Sequence, residues 1–159
     1  MRIKETKVYQ FAELSDDAQE KAIEELWDLN VDFEWWESVY DDAENIGLKI
    51  TEFDIDRGSY AKGNFIGTVR ETAEKIIAEH GPDCETRKTA ENYLQELKGE
   101  KELFDGEEDD FDTDEIDREF LKSLLEDYRI ILSHEYDYLT SRESIIETIK
   151  ANEYEFLDN

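Results

Sequence analysis

Cysteine, histidine and proline are scarce in this sequence. Its 159 residues include one cysteine, two histidines and one proline. Because an internal disulfide needs two cysteines, none is possible, and nothing points to an oxidising compartment. His80 and Cys84 stand four residues apart, a spacing that suits two zinc ligands, but His134 is the only further soft ligand. We therefore expect no metal site and a reducing cytoplasm.

Long apolar runs are absent as well. None approaches the roughly 20 residues that a membrane-spanning helix needs. The opening MRIKETKVYQF has no apolar core of the kind found in secretion signals. These features predict a protein of the host cell cytoplasm that makes no contact with a membrane.

Basic residues are few beside acidic ones. Lysine and arginine number 18, aspartate and glutamate number 45, and the net charge is −27. Such a charge excludes favourable binding to nucleic acid or to an anionic membrane, and it favours a basic partner. Solubility alone requires a net charge of only about 2 to 8 in magnitude. Adaptation to high salt is an alternative, but eleven lysines do not favour it.

The charge is close to that of the DNA that the protein would replace in a binding site. A compact domain of this length is roughly 40 Å across. Duplex DNA of that length carries about 23 phosphates. The sequence therefore predicts a protein that matches DNA in gross charge, whether as a monomer or as a homodimer.

The chain is nevertheless expected to fold around a core. Its 19 aromatic residues are spread along the sequence, unlike the composition of disordered acidic segments. The length fits one domain over residues 1–159, with an acidic loop at about 100–112. Hydrophobic periodicity predicts strands at 2–11, 48–55, 60–67 and 153–157, and helices at 15–29, 32–46, 68–80, 85–98, from 113 and from 141. This order predicts an α+β fold with a small, mostly antiparallel sheet covered by five to six helices.

Several details of these elements follow from single residues. Ser15, Asp32 and Ser141 are expected to cap helices, and Gly47 and Gly99 to end them. A phase slip between Ile50 and Phe53 indicates a β-bulge. Trp35 and Trp36 cannot both face one core stripe, so one is expected in the core and the other to pack under the sheet or to form an exposed contact.

The motifs of common enzymes and cofactor sites are incomplete. Gly58, Gly63 and Gly67 match no phosphate-binding loop. Asp110, Asp112 and Asp114 begin like a calcium loop, but Glu115 and Leu121 replace the required glycine and glutamate. We therefore expect no calcium site and no cofactor.

Two further catalytic patterns fail. Pro82-Asp83 and Glu96-Leu97-Lys98 have the order of a metal-dependent nuclease motif, but the latter segment has a helical pattern, and so acidic a chain would repel DNA. A nucleophile formed by Cys84 and a histidine is a further alternative that nothing in the sequence supports, and we expect Cys84 to pack instead. The sequence does not predict an enzyme.

Carboxylates, in contrast, recur at helical spacing. Positions three or four apart on a helix place their Cβ atoms about 5 to 6 Å apart, which is close to the separation of successive phosphates. One such row comprises Asp17, Glu20, Glu24 and Asp28, and a second comprises Glu34, Glu37, Asp41 and Glu44. Either row would otherwise be an ordinary solvated helix face.

The densest acidic cluster lies between residues 105 and 117. Its acidic members are Asp105, Glu107, Glu108, Asp109, Asp110, Asp112, Asp114, Glu115 and Asp117. Like charges so close destabilise one another, and a basic partner would relieve this. Phe104 directly precedes this cluster, Phe111 lies within it, and both suit interface anchors. A solubilising loop is the alternative.

Two long stretches resemble a known group of proteins. They are FAELSDDAQEKAIEEL…NVDFEWWESVYDDAENIGLKITEFDIDRGSYAKGNF, from Phe11 to Phe65, and EDYRIILSHEYDYLTS…IIETIKANEYEF, from Glu126 to Phe156. Both resemble small acidic proteins found in phages and integrated elements, to which no catalytic residues are assigned. Such proteins include DNA mimics that inhibit host defence, namely antirestriction and anti-CRISPR proteins.

Two functions are consistent with these features. The first is a phage or mobile-element inhibitor whose acidic face blocks the nucleic-acid-binding surface of a basic host protein, such as a defence nuclease or CRISPR effector. The second is a regulatory module, antitoxin-like, chaperone-like or antirepressor-like, that binds a basic partner through a specific groove.

Overall fold

The computed structural model describes residues 1–104, 106 and 111–157, and within them the fold is α+β as predicted. In chain order the elements are β1 (Tyr9–Gln10), a 3-10 turn (Phe11–Glu13), α1 (Asp16–Glu25), α2 (Glu37–Asn45), β2 (Leu48–Asp54), β3 (Tyr60–Phe65), α3 (Val69–Glu79), α4 (Glu85–Leu103), α5 (Asp114–Leu139), α6 (Arg142–Ala151) and β4 (Glu155–Phe156). The strands form two separate antiparallel pairs, β1 with β4 and β2 with β3.

The chain divides into two compact units. The first comprises Met1–Trp35 and the residues from His134 onward, and the second comprises Trp36–Ser133. The helix α5 begins in the second unit and ends in the first. A single domain over 1–159 stays a prediction.

The first unit has a core between the 3-10 turn, α1 and α6. Its buried members are Phe11, Leu14, Ala22, Ile23, Ile145 and Ile149. Burial of each large aliphatic side chain contributes roughly 1.5 to 3 kcal/mol. The hydroxyl oxygens of Ser15 and Ser141 accept hydrogen bonds from the backbone N–H groups of Ala18 and Ser144, so both predicted caps are confirmed.

The second unit contains the β2–β3 hairpin and the predicted bulge. The register shifts between Ile50 and Glu52, where the sequence showed a phase slip. Gly47 ends α2 with a φ of 96°, a conformation that glycine adopts without steric cost. The ring of Trp36 lies 5.7 Å from the ring of Phe53 on β2, while Trp35 is buried, which confirms the expected division between the two tryptophans.

The core of the second unit forms where α5 packs. Phe120, Leu124, Tyr128 and Leu132 recur every four residues along α5 and are all buried. The ring of Phe120 stacks at 4.4 Å on that of Tyr93 from α4 and at 5.5 Å on that of Phe65 from β3. These four residues of α5 form the buried face of the helix that the sequence predicted from residue 113.

Several predicted boundaries are wrong. The helix predicted at 15–29 ends at Glu25, and the strand predicted at 153–157 comprises only Glu155–Phe156. Within the described residues, the strand predicted at 2–11 comprises only Tyr9 and Gln10, which pair with Phe156 and Glu155 of β4. The helix predicted at 32–46 begins at Glu37, so Asp32 caps nothing, and Trp36 supplies the first carbonyl, which accepts from the N–H of Tyr40. Gly99 does not end α4, since four helix-compatible residues follow it and one glycine costs only about 1 kcal/mol.

Candidate protein-binding surface

The clearest acidic feature of the structure is a row of carboxylates on α2. Glu37, Asp41 and Glu44 are exposed on one face of this helix, while Val39 and Ala43 are buried on the opposite face. Spacings of four and three residues place the carboxylates side by side. None of the three forms an ion pair with another residue of the described chain. We call these three residues the α2 carboxylate row.

The fourth residue predicted for this row does not belong to the helix. Glu34 is exposed but precedes α2, which begins at Glu37. The backbone turns at Glu34, before α2 begins, since the N–H of Trp35 donates to the carbonyl of Phe33 at 2.7 Å. The prediction of a continuous four-residue row is therefore wrong at its first member.

A neighbouring carboxylate on α2 has a structural role instead. Asp42 accepts a hydrogen bond of 3.0 Å from the hydroxyl of Tyr128 on α5, and its Oδ2 lies 3.6 Å from Nε2 of His80. The Nδ1 of His80 lies 2.6 Å from the hydroxyl oxygen of the buried Thr86. This polar network joins α2 to the ends of α3 and α4 and to α5. Sequence analysis missed it because its members are far apart in the chain.

The acidic cluster before α5 is described only in part. Asp105, Glu107, Glu108, Asp109 and Asp110 lie outside the described residues.

Among the described members of this cluster, two carboxylates organise the start of α5. Asp112 accepts from the backbone N–H of Asp114 at 2.9 Å. Asp117 accepts from the hydroxyls of Thr113 and Tyr93 at 2.9 and 2.6 Å. The second of these bonds has an electrostatic consequence, because burial and then the Asp117 carboxylate raise the pKa of the Tyr93 phenol. Both carboxylates therefore stabilise the local fold.

The other two described acids of the cluster remain exposed. Asp114 and Glu115 lie in the first turn of α5, where the helix dipole favours negative charge. They are available to a partner, whereas Asp117 is half-buried and already bonded.

The two phenylalanines of this stretch contact each other. The rings of Phe104 and Phe111 lie 5.2 Å apart. Phe104 keeps 37% of its surface exposed, and Phe111 is half-buried. The pair forms a small apolar patch beside the acidic start of α5.

The carboxylate row predicted on α1 is shorter and partly neutralised. Asp17, Glu20 and Glu24 are exposed on α1, but Asp28 lies beyond its last residue. Glu20 forms an ion pair with Arg142 of α6. This face therefore offers less unpaired negative charge than α2 does.

Sequence analysis also missed two exposed aromatic residues. Trp27 and Phe33 are exposed to 52% and 64%. The helix predicted at 15–29 would include Trp27, but α1 ends at Glu25 and Trp27 lies exposed in the turn that follows. Large exposed aromatics are typical of protein interfaces.

Within residues 1–104, 106 and 111–157, no group of three or more histidine, cysteine, aspartate or glutamate side chains is arranged to hold a metal ion. No helix of this part of the chain is long and apolar enough to cross a membrane. Cys84 is exposed rather than packed, because it occupies the N-cap position of α4.

The chain matches no protein-family model, and comparison with the curated proteins and with the solved structures gives no match either.

Proposed function

We propose that the protein is a phage or mobile-element inhibitor that acts in the host cytoplasm as an acidic DNA mimic. Its target in this proposal is a host defence nuclease or CRISPR effector, whose nucleic-acid-binding surface it blocks without catalysis or a cofactor. The observation that carries the proposal is the α2 carboxylate row, in which Glu37, Asp41 and Glu44 are exposed, adjacent and free of ion pairs within the described chain.

The dimensions of the row support this proposal. Glu44 lies seven positions after Glu37, a rise of roughly 10 Å at 1.5 Å per residue. Three carboxylates over that distance approximate the charge density of one nucleic-acid strand. The row also lies on a helix whose other face is buried, so the carboxylates are held on a fixed surface.

Electrostatics supplies the driving force. With a net charge of −27, each further carboxylate on the surface repels the others, and a Lys- and Arg-lined channel would relieve that repulsion. Association of this kind is fast and weakens as salt is added. The resemblance to small acidic phage proteins agrees with this mechanism, in which carboxylates compete with phosphates for the same cations.

A second candidate function has its own supporting observation. Trp27 and Phe33 are large aromatic side chains that are mostly exposed. Such residues contribute short-range contacts that salt does not screen. They favour a regulatory module that binds a basic partner through an apolar contact and leaves the partner's nucleic-acid site open.

One experiment separates the two candidates. The tagged protein is expressed in a bacterial host, and captured proteins are compared at low and high salt, with and without competing duplex DNA. Mimicry predicts a nucleic-acid enzyme that both salt and DNA release. A partner that stays bound through both treatments would contradict mimicry and support the regulatory module.

A further inference from the structure

A groove of about 620 Å³ lies in the first unit between α1 and residues 155–157. Among the described residues, its apolar lining consists of Leu14, Ala18 and Ala22 from the start of the unit and Phe156 and Leu157 from β4 and the residue after it. The volume falls within the range of pockets that hold ligands, about 300 to 1,000 Å³. We call it the β4 groove, because Phe156 belongs to β4.

The rim of the β4 groove is acidic. Asp17, Glu25 and Glu155 lie on it together with Lys21, whose Nζ is 4.0 Å from the Glu25 carboxylate. The four side chains sum to a net charge of −2. An occupant that fits this rim carries basic residues around an apolar side chain.

The N-terminal arm, residues 1–8, has this chemistry. The arm carries a net charge of +2, from Arg2, Lys4 and Lys7 against Glu5, although the net charge of the whole chain is −27. Ile3 is 80% exposed, and every residue of the arm is exposed. The sequence predicts a strand from residue 2, yet pairing begins only at Tyr9. Within the part of the chain that the structure describes, the arm therefore has strand-forming sequence without a strand partner.

The arm does not reach the β4 groove of its own chain by continuing β1. Tyr9 pairs with Phe156 and Gln10 with Glu155 in antiparallel register. A continuation from Val8 towards residue 1 thus runs past Leu157, beyond the end of β4. None of the arm residues lines the groove.

We propose that the N-terminal arm of one copy of the protein docks in the β4 groove of a second copy. Ile3 would lie over the floor formed by Ala18 and Ala22, where the short alanine side chains leave room. The basic residues of the arm would meet the acidic rim. This homodimer does not depend on the proposed inhibition, because it uses neither the α2 carboxylate row nor a host partner.

Salt distinguishes this dimer from a complex with a basic host protein. Two chains that each have a net charge of −27 repel each other. That repulsion exceeds the attraction between an arm of net charge +2 and a rim of net charge −2. Adding salt weakens the repulsion between the chains more than it weakens this attraction, so the dimer is expected to strengthen between about 50 mM and about 500 mM NaCl. A mimicry complex is expected to weaken over the same range.

Disulfide trapping tests the contact directly. A Cys84→Ser background removes the native thiol, and serine suits the N-cap position that Cys84 occupies. Ile3→Cys and Ala18→Cys are made in separate chains, mixed at high salt and oxidised. The proposal predicts a covalent heterodimer well above the yield obtained when Lys49→Cys, an exposed position in the second unit, replaces Ala18→Cys.

Three results would overturn the proposal. One is a heterodimer yield no higher than that of the Lys49→Cys control. Another is an intrachain disulfide in a monomeric Ile3→Cys, Ala18→Cys double variant, which would place the arm in the groove of its own chain. The third is cross-linking of Ala18→Cys in cell extract to a different protein only, which would assign the groove to a foreign partner.

A groove-filling pair of variants provides a second measurement. Ala18→Leu fills the floor of the β4 groove, whereas Ala12→Leu adds the same group at an exposed position nearby. Sedimentation at high salt is expected to show a dimer for the wild type and Ala12→Leu and a folded monomer for Ala18→Leu. A folded Ala18→Leu dimer of wild-type affinity would contradict the proposal.

Discussion

The hydroxyl of Tyr128 on α5 donates a hydrogen bond of 3.0 Å to the carboxylate of Asp42 on α2. Tyr128 is fully buried. This burial, together with the charge of Asp42, raises the pKa of the Tyr128 phenol, so the hydroxyl keeps its proton. The next carboxylate along the chain, Asp41, is exposed and belongs to the α2 carboxylate row. One acidic residue of α2 therefore holds the helix in place while its neighbour faces solvent.

The first prediction compares these two neighbours. Tyr128→Phe removes the donor and is expected to lower the free energy of unfolding by about 1 kcal/mol. Asp41→Asn removes only an exposed charge and is expected to change it by less than about 0.5 kcal/mol. Urea unfolding of both variants provides the measurement. Equal losses for the two would show that the hydrogen bond does not stabilise α2.

The second prediction concerns two glycines that end or interrupt helices. An added Cβ at Gly47 would lie 2.5 Å from the hydroxyl oxygen of Thr72, and the φ of 96° strains any other residue. Gly47→Ala is therefore expected to destabilise the protein by about 1 to 3 kcal/mol. Gly99 lies inside α4 with open space around it, so Gly99→Ala is expected to stabilise by about 0.5 to 1 kcal/mol. Thermal denaturation measures both changes in stability. A Gly47→Ala variant as stable as the wild type would contradict the predicted backbone strain at Gly47.

The third prediction is a pH dependence at two adjacent residues of α5. Burial raises the pKa of the Asp127 carboxyl, and Glu85 and Glu126 add to this, against the hydrogen bond from Thr89. The folded state therefore holds the Asp127 proton more tightly than the unfolded state does, and this tighter binding stabilises the fold at low pH. The stabilisation is lost as pH rises through the pKa of Asp127 in the folded state. Asp127→Asn is expected to raise the Tm at pH 7, with a gain that shrinks towards about pH 4.

Glu126 provides a control of opposite sign. The hydrogen bond with Arg129 lowers the pKa of the Glu126 carboxyl. The stability that the Glu126 carboxylate contributes is therefore present above the ordinary glutamate pKa, and it is lost as pH falls through the lowered pKa of the folded state. Glu126→Gln is therefore expected to lower the Tm at pH 7 and to converge with the wild type in acid. Tm profiles that move in the same direction for both variants would contradict these assignments.

The fourth prediction concerns the whole chain. Self-repulsion at a net charge of −27 is expected to weaken with salt, so the Tm should rise between low and moderate ionic strength. Differential scanning calorimetry in NaCl checks this. A flat profile would mean that the carboxylates are already locally paired or widely dispersed.

Local signals in the sequence were sufficient to predict much of the fold. The caps at Ser15 and Ser141, the stop at Gly47 and the bulge after Ile50 each depend on residues within a few positions of one another. The α+β class followed from the order of these elements. The extent of an element was less predictable where it depended on a distant partner, as for the strand at 2–11, which β4 pairs over two residues only.

The candidate site was predictable only as a set of exposed carboxylates. Spacing identified Glu37, Asp41 and Glu44, but it did not separate them from Glu34, which precedes the helix. Nor did it reveal that Asp117 is bonded to Tyr93 or that Glu20 is paired with Arg142, since those partners are 24 and 122 residues away. Which carboxylates remain available is decided by tertiary contacts.

The most direct test of the central claim compares two triple variants of equal net charge. One carries Glu37→Gln, Asp41→Asn and Glu44→Gln in the α2 carboxylate row, and the other carries Asp16→Asn, Glu143→Gln and Glu147→Gln at exposed positions of the first unit. Affinity is measured for the host protein that the wild type captures and that duplex DNA releases. Loss of three ion pairs of about 0.5 to 1 kcal/mol each predicts at least about tenfold weaker binding for the first variant and little change for the second. Equal weakening of both, or of neither, would contradict recognition of the α2 carboxylate row in place of a nucleic-acid strand.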